Sequence, residues 1–212
     1  MLHFSLAQLQ QQERFYRANL INSLSGFKPA SLIGTQNKEG QTNLAIFSNI
    51  VHLGADPALI GFVNRPRPAT PHTLANIEAT GIYTINHVTN TIIEKAHQTS
   101  AKYAADENEF TATALTPEWH TTINAPFVKE STVQYALQLV EIIPIKHNQT
   151  FFVIGSVTDV FIKDDQLLQA DGFLQLEKAG IIASLGIDGY YNTTFIQRME
   201  YAKKGKPPEK LS

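Results

Sequence analysis

The run VQYALQLVEIIPIKHNQTFFVIGSVTDVFI, residues 133–162, decides the fold class of this chain. It contains two apolar-rich segments, Val133–Ile145 and Thr150–Ile162, with a short polar break at His147-Asn148-Gln149 between them. Apolar and polar residues alternate along part of each segment, which is the pattern of a β-sheet with one covered face. A turn this short joins antiparallel neighbours, because parallel strands need a long crossover. The run therefore predicts a long antiparallel hairpin.

Shorter strands are predicted upstream of this hairpin. They cover residues 30–35, 43–51, 59–63 and 82–86, and QNKEG at 36–40 is a hairpin turn signal between the first two. Strands and helices do not alternate regularly, as they would in a doubly wound parallel sheet. We therefore predict a mainly β fold, an antiparallel barrel with peripheral helices.

The two ends of the chain have their own patterns. Residues 5–23 are predicted to form one helix, because Ser5 is a good N-cap and Gln8 completes a capping box. This helix lies in an N-terminal extension, residues 1–25. The basic, proline-bearing tail, residues 203–212, is predicted to be a solvated end. No repeat or low-complexity linker divides the chain, so all 212 residues are interpreted as a single domain.

Two further helices are predicted between the strands. One starts at Pro71, directly after the N-cap Thr70, and ends at Gly81, which suits a left-handed stop. The other covers residues 90–99. Residues 101–125 are rich in alanine and polar side chains, and are predicted to be mostly loop.

Composition argues against several classes of function. The net charge of −2 makes nucleic acid a poor partner. No apolar run is long enough to cross a membrane and the N-terminus is not a signal peptide, so we predict no membrane partner and a cytoplasmic location. The absence of cysteine excludes a disulfide, a thiolate metal site and a cysteine nucleophile. Redox chemistry would therefore need a bound cofactor.

The start of the helix at Pro71 has the features of an anion site. The first turn of a helix offers unpaired N–H groups and the positive end of the dipole. Arg65 and Arg67 lie just upstream, and Thr70 and Thr73 can add hydroxyl groups. A surface loop with two solvated arginines and an ordinary capped helix has the same sequence pattern. Taken alone, this stretch favours that simpler alternative.

Standard catalytic and nucleotide-binding motifs are absent. The chain has no GxGxxG, no GxxxxGK[ST] and no GxSxG. Three histidines share one segment, but their spacing matches no standard metal-ligand pattern, so no metal site is predicted. They are His72, His87 and His97. A cluster of carboxylates is interpreted as a solvated loop rather than a general acid–base pair. It consists of Asp106, Glu107 and Glu109.

Four blocks of sequence together resemble one family. They are NLAIFSN at 43–49, DPALIGF at 56–62, HTLANIEATGIYTIN at 72–86 and HQTSAKY at 97–103. In order and spacing they resemble the flavin reductase-like proteins with an FMN-binding split barrel, and within that family the flavoredoxin-like branch. The resemblance runs from about Pro29 to about Tyr191 and includes LGIDGYYNTTF at 185–195.

The resemblance implies where FMN would bind. The strand with the NLAIFSN-like block would run beside the isoalloxazine ring, with its backbone groups and serine serving the flavin. The loop after the next strand would take the phosphate, which matches Arg65, Arg67 and Thr73. The residues implied at the cofactor are Ala45, Ile46, Phe47, Ser48, Asn49, Arg65, Arg67, His72, Thr73, Asn86, Ser100, Lys102 and Tyr103.

Some of these residues have a structural alternative. Ile46 and Phe47 equally suit a half-buried barrel strand, and Asn86 equally suits a cap on the turn after its strand. His72 is either a phosphate donor or a surface helix residue. His97 is interpreted as structural. Asp188, Tyr190 and Tyr191 would line the pocket, either in their own subunit or from a partner subunit. For Tyr190 and Tyr191 the alternative is packing in an interface or the core, which is slightly preferred.

The resemblance also implies a function. It points to a homodimeric FMN-binding oxidoreductase in which NADH or NADPH reduces the flavin, and a small molecule or a protein accepts the electrons. Hydride would pass from the nicotinamide to flavin N5, so no acidic or basic catalytic side chain is expected. One alternative is an electron carrier that another redox protein reduces. The other is a non-enzymatic barrel that has lost its flavin.

Overall fold

A computed structural model describes residues 1–66, 73–104 and 107–211. The helices are α1 (Leu6–Gln11), α2 (Arg14–Leu24), α3 (Thr73–Thr80), α4 (Ile93–Gln98) and α5 (Glu109–Thr113), with one 3₁₀ turn at Asp165–Leu167. The strands are β1 (Lys28–Pro29), β2 (Ser31–Gln36), β3 (Thr42–Phe47), β4 (Ile50–Ala55), β5 (Ala58–Asn64), β6 (Ile82–His87), β7 (Pro117–Glu118), β8 (Phe127–Val128), β9 (Val133–Ile145), β10 (Thr150–Ile162), β11 (Ile182–Leu185) and β12 (Gly189–Asn192).

Seven strands form one antiparallel sheet in the order β3-β2-β6-β9-β10-β5-β4. The two edge strands, β3 and β4, are separated in sequence only by Ser48 and Asn49. The sheet must therefore curl until its edges meet at this point, which we call the β3–β4 corner. The result is a split barrel, and the predicted mainly β fold with peripheral helices is confirmed. The predicted hairpin is also confirmed, because β9 and β10 have the expected bounds.

The corner corrects one prediction. Residues 43–51 were expected to form a single strand, but the chain changes its pairing partner there, from β2 to β5. The side chain of Asn49 fixes the change: its Nδ2 donates to the carbonyl of Val63 at 2.7 Å, and the N–H of Val63 donates to its Oδ1 at 3.3 Å. The side-chain amide of Asn49 thus pairs with backbone groups of Val63 at the corner, where the backbone of the chain changes its partner strand.

The interior of the barrel is apolar, and α3 packs against it. Leu74 and Ile77 of this helix are buried in the same cluster as the barrel residues Phe62 and Ile85. The helix ends at Gly81, whose φ of +74° is the left-handed stop that the sequence predicted. The predicted N-cap of this helix, at position 70, lies outside the described residues.

The outer face of β3, β2 and β6 is covered by a second apolar cluster. Leu32 and Leu44 of the sheet pack there with Ala96 of α4 and Phe110 of α5. The helix expected over 90–99 starts later, at Ile93, and α5 is a helix within the stretch expected to be mostly loop.

The N-terminal extension contains two helices instead of the single helix predicted. The capping box is confirmed, since Gln8 N–H donates to Ser5 Oγ and Ser5 N–H donates to Gln8 Oε1. The carboxylate of Glu13 accepts bonds from the N–H groups of Phe15 and Tyr16, at 2.7 and 3.0 Å. Glu13 therefore starts a new helix and ends the first one.

Candidate functional site

The strand β3 is an edge strand that pairs with β2 on one side only, and we call its other side the open edge. The N–H of Leu44 donates to Oε2 of Glu109 at 3.2 Å, so the backbone of Leu44 faces away from β2. Backbone groups of successive residues face opposite edges of a strand, so Ile46 also presents its N–H and C=O to the free side. Ala45 and Phe47 face β2 instead. Ile46 is thus the residue of this block whose backbone can hydrogen-bond the polar edge of a ring.

The side chains of the same block are divided between the core and the corner. The ring of Phe47 lies inside the barrel, edge-on to Phe62 with 5.1 Å between ring centroids. The side chain of Ile46 packs on the outer apolar cluster with Ile93 of α4. Asn49 uses its amide to hold Val63. Ser48, half-buried at the corner, is the side chain of this block that remains available to a ligand.

The start of α3 is bonded to the other end of β3. The side-chain amide of Asn43 lies between Glu109 and Thr73. In the orientation that pairs it with both, its nitrogen donates to Oε1 of Glu109 at 3.2 Å and its oxygen accepts from the hydroxyl of Thr73 at 3.0 Å. In that arrangement the hydroxyl proton of Thr73 is used internally. The first-turn N–H groups of α3 are then the donors available to an anion.

Arg65 directly follows β5. Its backbone carbonyl accepts a bond from Nδ2 of Asn64 at 2.8 Å, and its side chain is exposed. Because Asn49 is bonded to Val63, two positions before Arg65, Arg65 lies beside the β3–β4 corner. Thr73 is bonded to Asn43, at the opposite end of β3. The other two residues expected at the phosphate, Arg67 and His72, lie outside the described residues.

Asn86 is separated from the open edge of β3. It is fully buried, its Nδ2 donates to the carbonyl of Leu32 at 3.2 Å and to Thr84 Oγ1 at 3.0 Å, and its Oδ1 accepts from the N–H of Val128 at 3.0 Å. These bonds join β2, β6 and β8. These contacts support a structural role for Asn86 rather than a role at the cofactor. The role differs from the predicted cap on a turn, because the bonds connect strands. We leave Asn86 outside the proposed site.

The block after α4 lies beside the cluster that covers β3. Ser100 and Lys102 are exposed, and the hydroxyl of Tyr103 bonds with Gln98 rather than with the strand. His97 Nδ1 lies 2.8 Å from the hydroxyl of Tyr190, which attaches α4 to β12. Burial raises the pKa of Tyr190, with a smaller contribution from Asp188. The contact of His97 agrees with its structural interpretation.

Two residues of this edge were not identified from the sequence. Asn43 lies in the NLAIFSN block but was not assigned a role, and Glu109 was interpreted as part of a solvated loop. The second interpretation is wrong, because Glu109 is buried and accepts a backbone bond from β3. Glu109 is the first residue of α5 and follows the N-cap Asn108. This pair is a local signal for a helix start, but in the sequence Glu109 was interpreted only as part of an acidic cluster.

Residues 27–176 match the family model of the flavin reductase like domain. The chain belongs to this family. Among similar solved structures is one from Shewanella frigidimarina NCIMB 400 that is provisionally named a flavin reductase with a split barrel domain. It is 50% identical, covers 95% of this chain and 100% of its own, and has a TM-score of 0.91.

Two more distant structures share the fold of this flavin reductase-like chain. Flavoredoxin of Desulfovibrio vulgaris (Miyazaki F) is 21% identical, covers 96% of this chain and 98% of its own, and has a TM-score of 0.72. The FMN-binding protein of Thermus thermophilus is 16% identical, covers 82% of this chain and 92% of its own, and has a TM-score of 0.66. At these identities the likeness shows the fold alone.

This flavin reductase-like barrel also buries titratable side chains away from the open edge. Burial raises the pKa of Tyr83 and of Tyr135, so both phenols stay neutral at physiological pH. Burial lowers the pKa of His87 to about 4, and its Nδ1 has no hydrogen-bond partner among the described residues. The imidazole is therefore neutral in the folded protein near pH 7.

We expect His87 to make stability depend on pH. The unfolded chain binds a proton below a pKa of about 6.5, whereas the folded chain does so only near 4, so stability is complete above pH 6.5 and falls as the pH drops toward 4. Between about pH 7.5 and pH 5 the loss should be about 2 kcal/mol. Urea denaturation at the two pH values measures it. His87→Leu should remove most of this loss, while the matched change His147→Leu, at an exposed turn position, should retain it; equal losses in both variants would contradict the assignment.

The described residues contain neither a metal-binding cluster nor a membrane-spanning helix. Within residues 1–66, 73–104 and 107–211, no three side chains of His, Cys, Asp or Glu are grouped so as to hold a metal ion. No helix in those ranges combines the length and the apolar character needed to span a bilayer.

Proposed function

We propose that this protein binds FMN along the open edge of β3 and is an oxidoreductase that reduces the flavin with NADH or NADPH. The observation that carries the proposal is the geometry of that edge, where the backbone of Ile46 is free of the sheet. Arg65 lies beside the corner at the end of β3, and the start of α3 is bonded to the beginning of β3. Family membership and the fold shared with flavoredoxin and an FMN-binding protein support it.

The residues of the edge fit the parts of FMN by their chemistry. The N–H and C=O of Ile46 form one donor and one acceptor side by side, which suits the alternating polar groups of a flavin ring, and Ser48 adds a hydroxyl. Arg65 and the first-turn amides of α3 suit a phosphate. Arg67, His72, Lys102, Ser100 and Tyr103 remain proposed contacts of the same ligand.

The cofactor would supply the redox chemistry, since FMN accepts a hydride from a nicotinamide and passes the electrons on. The work of the chain is then to orient the ring and to hold the phosphate. It needs no acid or base at the edge. We further propose that the protein is a cytoplasmic single-domain homodimer with the flavin near the interface, and that a small molecule or a protein accepts the electrons.

An absorbance spectrum of the purified protein with FMN tests this function. Flavin bands that bleach on anaerobic addition of NADH or NADPH would support the reductase. Bands that persist with both nucleotides, but bleach with a reduced redox protein, would instead support the electron carrier. A protein that shows no flavin bands and ignores added FMN would contradict the proposal and support the non-enzymatic barrel.

We expect Ile46→Pro to weaken FMN binding by roughly 10-fold relative to Ile46→Ala, about 1.4 kcal/mol, the value of a single hydrogen bond. Both variants lose the same apolar packing, and only proline removes the N–H that faces the open edge. Proline is tolerated there because that N–H makes no bond to β2. Fluorescence titration with FMN gives the two dissociation constants. Equal constants would exclude the N–H of Ile46 from the site.

A further inference from the structure

The outer side of β4, β5, β10 and β9 carries an apolar surface. In register, Val63, Phe152 and Ile143 form one row across three strands, and Val51 and Leu53 of β4 extend it. We call these five residues the outer sheet face. Val51, Leu53 and Ile143 are 43%, 42% and 40% exposed. The helices that cover the other half of the sheet, α4 and α5, pack on the β3 side instead.

The N-terminal helices are a second uncovered apolar element. Neither α1 nor α2, together the N-terminal arm, buries any residue in its own chain. Leu6, Phe15 and Leu24 of the arm are 71%, 69% and 70% exposed. A helix as short as α2 is marginal in water without a packing partner. The arm lies outside residues 27–176, the part of the chain that matches the family model.

The total surface of the chain is large enough to include a homodimer interface. The chain exposes 13280 Å², whereas a globular monomer of 23.5 kDa exposes about 9,800 Å². The excess, about 3,500 Å² per chain, is large enough to include the roughly 1,000–2,500 Å² that each partner buries in an obligate homodimer. One chain carries both the apolar arm and the apolar face, which is what a closed, symmetric dimer requires.

Charge agrees with this pairing. Arg14 of the arm is exposed, and on the outer side of β9 the carboxylate of Glu141 is exposed in the register row of Val51. An arm laid on the face would bring these opposite charges to the rim of an apolar contact.

We propose that the N-terminal arm of each copy lies on the outer sheet face of the other. This inference rests on the homodimer proposed above and names the surfaces that form it. The face borders the β3–β4 corner, since Asn49 is bonded to Val63 and is followed by Val51 within two residues. The partner's arm would therefore cover the outside of the corner that holds Ser48.

Engineered cysteines test the pairing cleanly, because the natural chain has none. Leu24→Cys or Phe15→Cys in one tagged copy is mixed with Ile143→Cys or Leu53→Cys in a differently tagged copy, and the mixture is oxidised. We expect a disulfide between the two tags for at least one arm–face pair. The matched control pairs each arm cysteine with Lys203→Cys, which is equally exposed but lies in the tail, and should give none.

The outcomes separate this inference from the function. A monomeric mass by light scattering at all concentrations would overturn both the homodimer and the pairing. A dimer whose arm and face cysteines link no better than the control, or whose face cysteines link only to each other, would overturn the pairing alone. Cross-linking in a dimer that ignores FMN would support the pairing and contradict only the proposed function.

Discussion

Replacing Arg65 and Arg67 together with alanine is expected to weaken FMN binding by about 3 kcal/mol, or roughly 100-fold in Kd. The reason is that each guanidinium would lose a charged hydrogen bond to the phosphate, the ligand group whose geometry arginine matches best. Arg65 is exposed at the end of β5, so its removal leaves no buried group unpaired. Fluorescence titration with FMN measures the change, and thermal unfolding without FMN checks that the fold is kept.

The matched control removes two positive charges elsewhere. Lys203→Ala with Lys204→Ala changes the net charge of −2 by the same amount, in the C-terminal tail, and should leave the affinity for FMN unchanged. If both double variants weaken binding equally, the effect is one of overall charge and the phosphate site is elsewhere. If neither weakens it, the two arginines are not phosphate ligands.

Asn86→Leu is expected to lower the free energy of unfolding by about 4 kcal/mol. Leucine has nearly the same size, but it would leave the N–H of Val128 and the carbonyl of Leu32 in the core without the bonds they now make. Each unpaired buried group costs about 1–3 kcal/mol. Urea denaturation of the protein without FMN measures the loss.

This change also separates the two interpretations of Asn86. The control Asn124→Leu removes an exposed amide that accepts a hydrogen bond from Gln36, and should cost less than about 0.5 kcal/mol. A stable Asn86→Leu protein that no longer binds FMN would return Asn86 to the cofactor site. An unstable protein that still binds FMN when folded would establish its role in the core.

What the sequence predicted well was local. The hairpin of β9 and β10 and the capping box of Ser5 are set by residues a few positions apart, so their patterns are legible in one sequence. The helix end at Gly81 is equally local. The resemblance added the fold, because the order of four blocks along the chain reflects a whole architecture.

What the sequence did not predict depends on distant partners. No residue between 43 and 51 interrupts the sequence pattern of a β-strand. The chain bends at Asn49 because the first half of this stretch pairs with β2 and the second half pairs with β5. The carboxylate of Glu109 is buried because it meets the N–H of Leu44, which is 65 positions away. That bond also shows which residues of the NLAIFSN block point their backbone groups to the open edge. The alternating pattern of the sequence cannot show this, because it does not say which backbone groups pair with β2.

The β3–β4 corner also shapes the route by which the chain can fold. The hairpins β2–β3 and β4–β5 each close a short loop, and the corner joins them into one four-strand ribbon before any distant segment is needed. The slow steps are then the docking of β6 on β2 and of β10 on β5, which join segments far apart in sequence. The ribbon has β2 at one edge and β5 at the other. Once β6 is paired with β2, the hairpin of β9 and β10 can pair with β6 and β5 together and so complete the barrel.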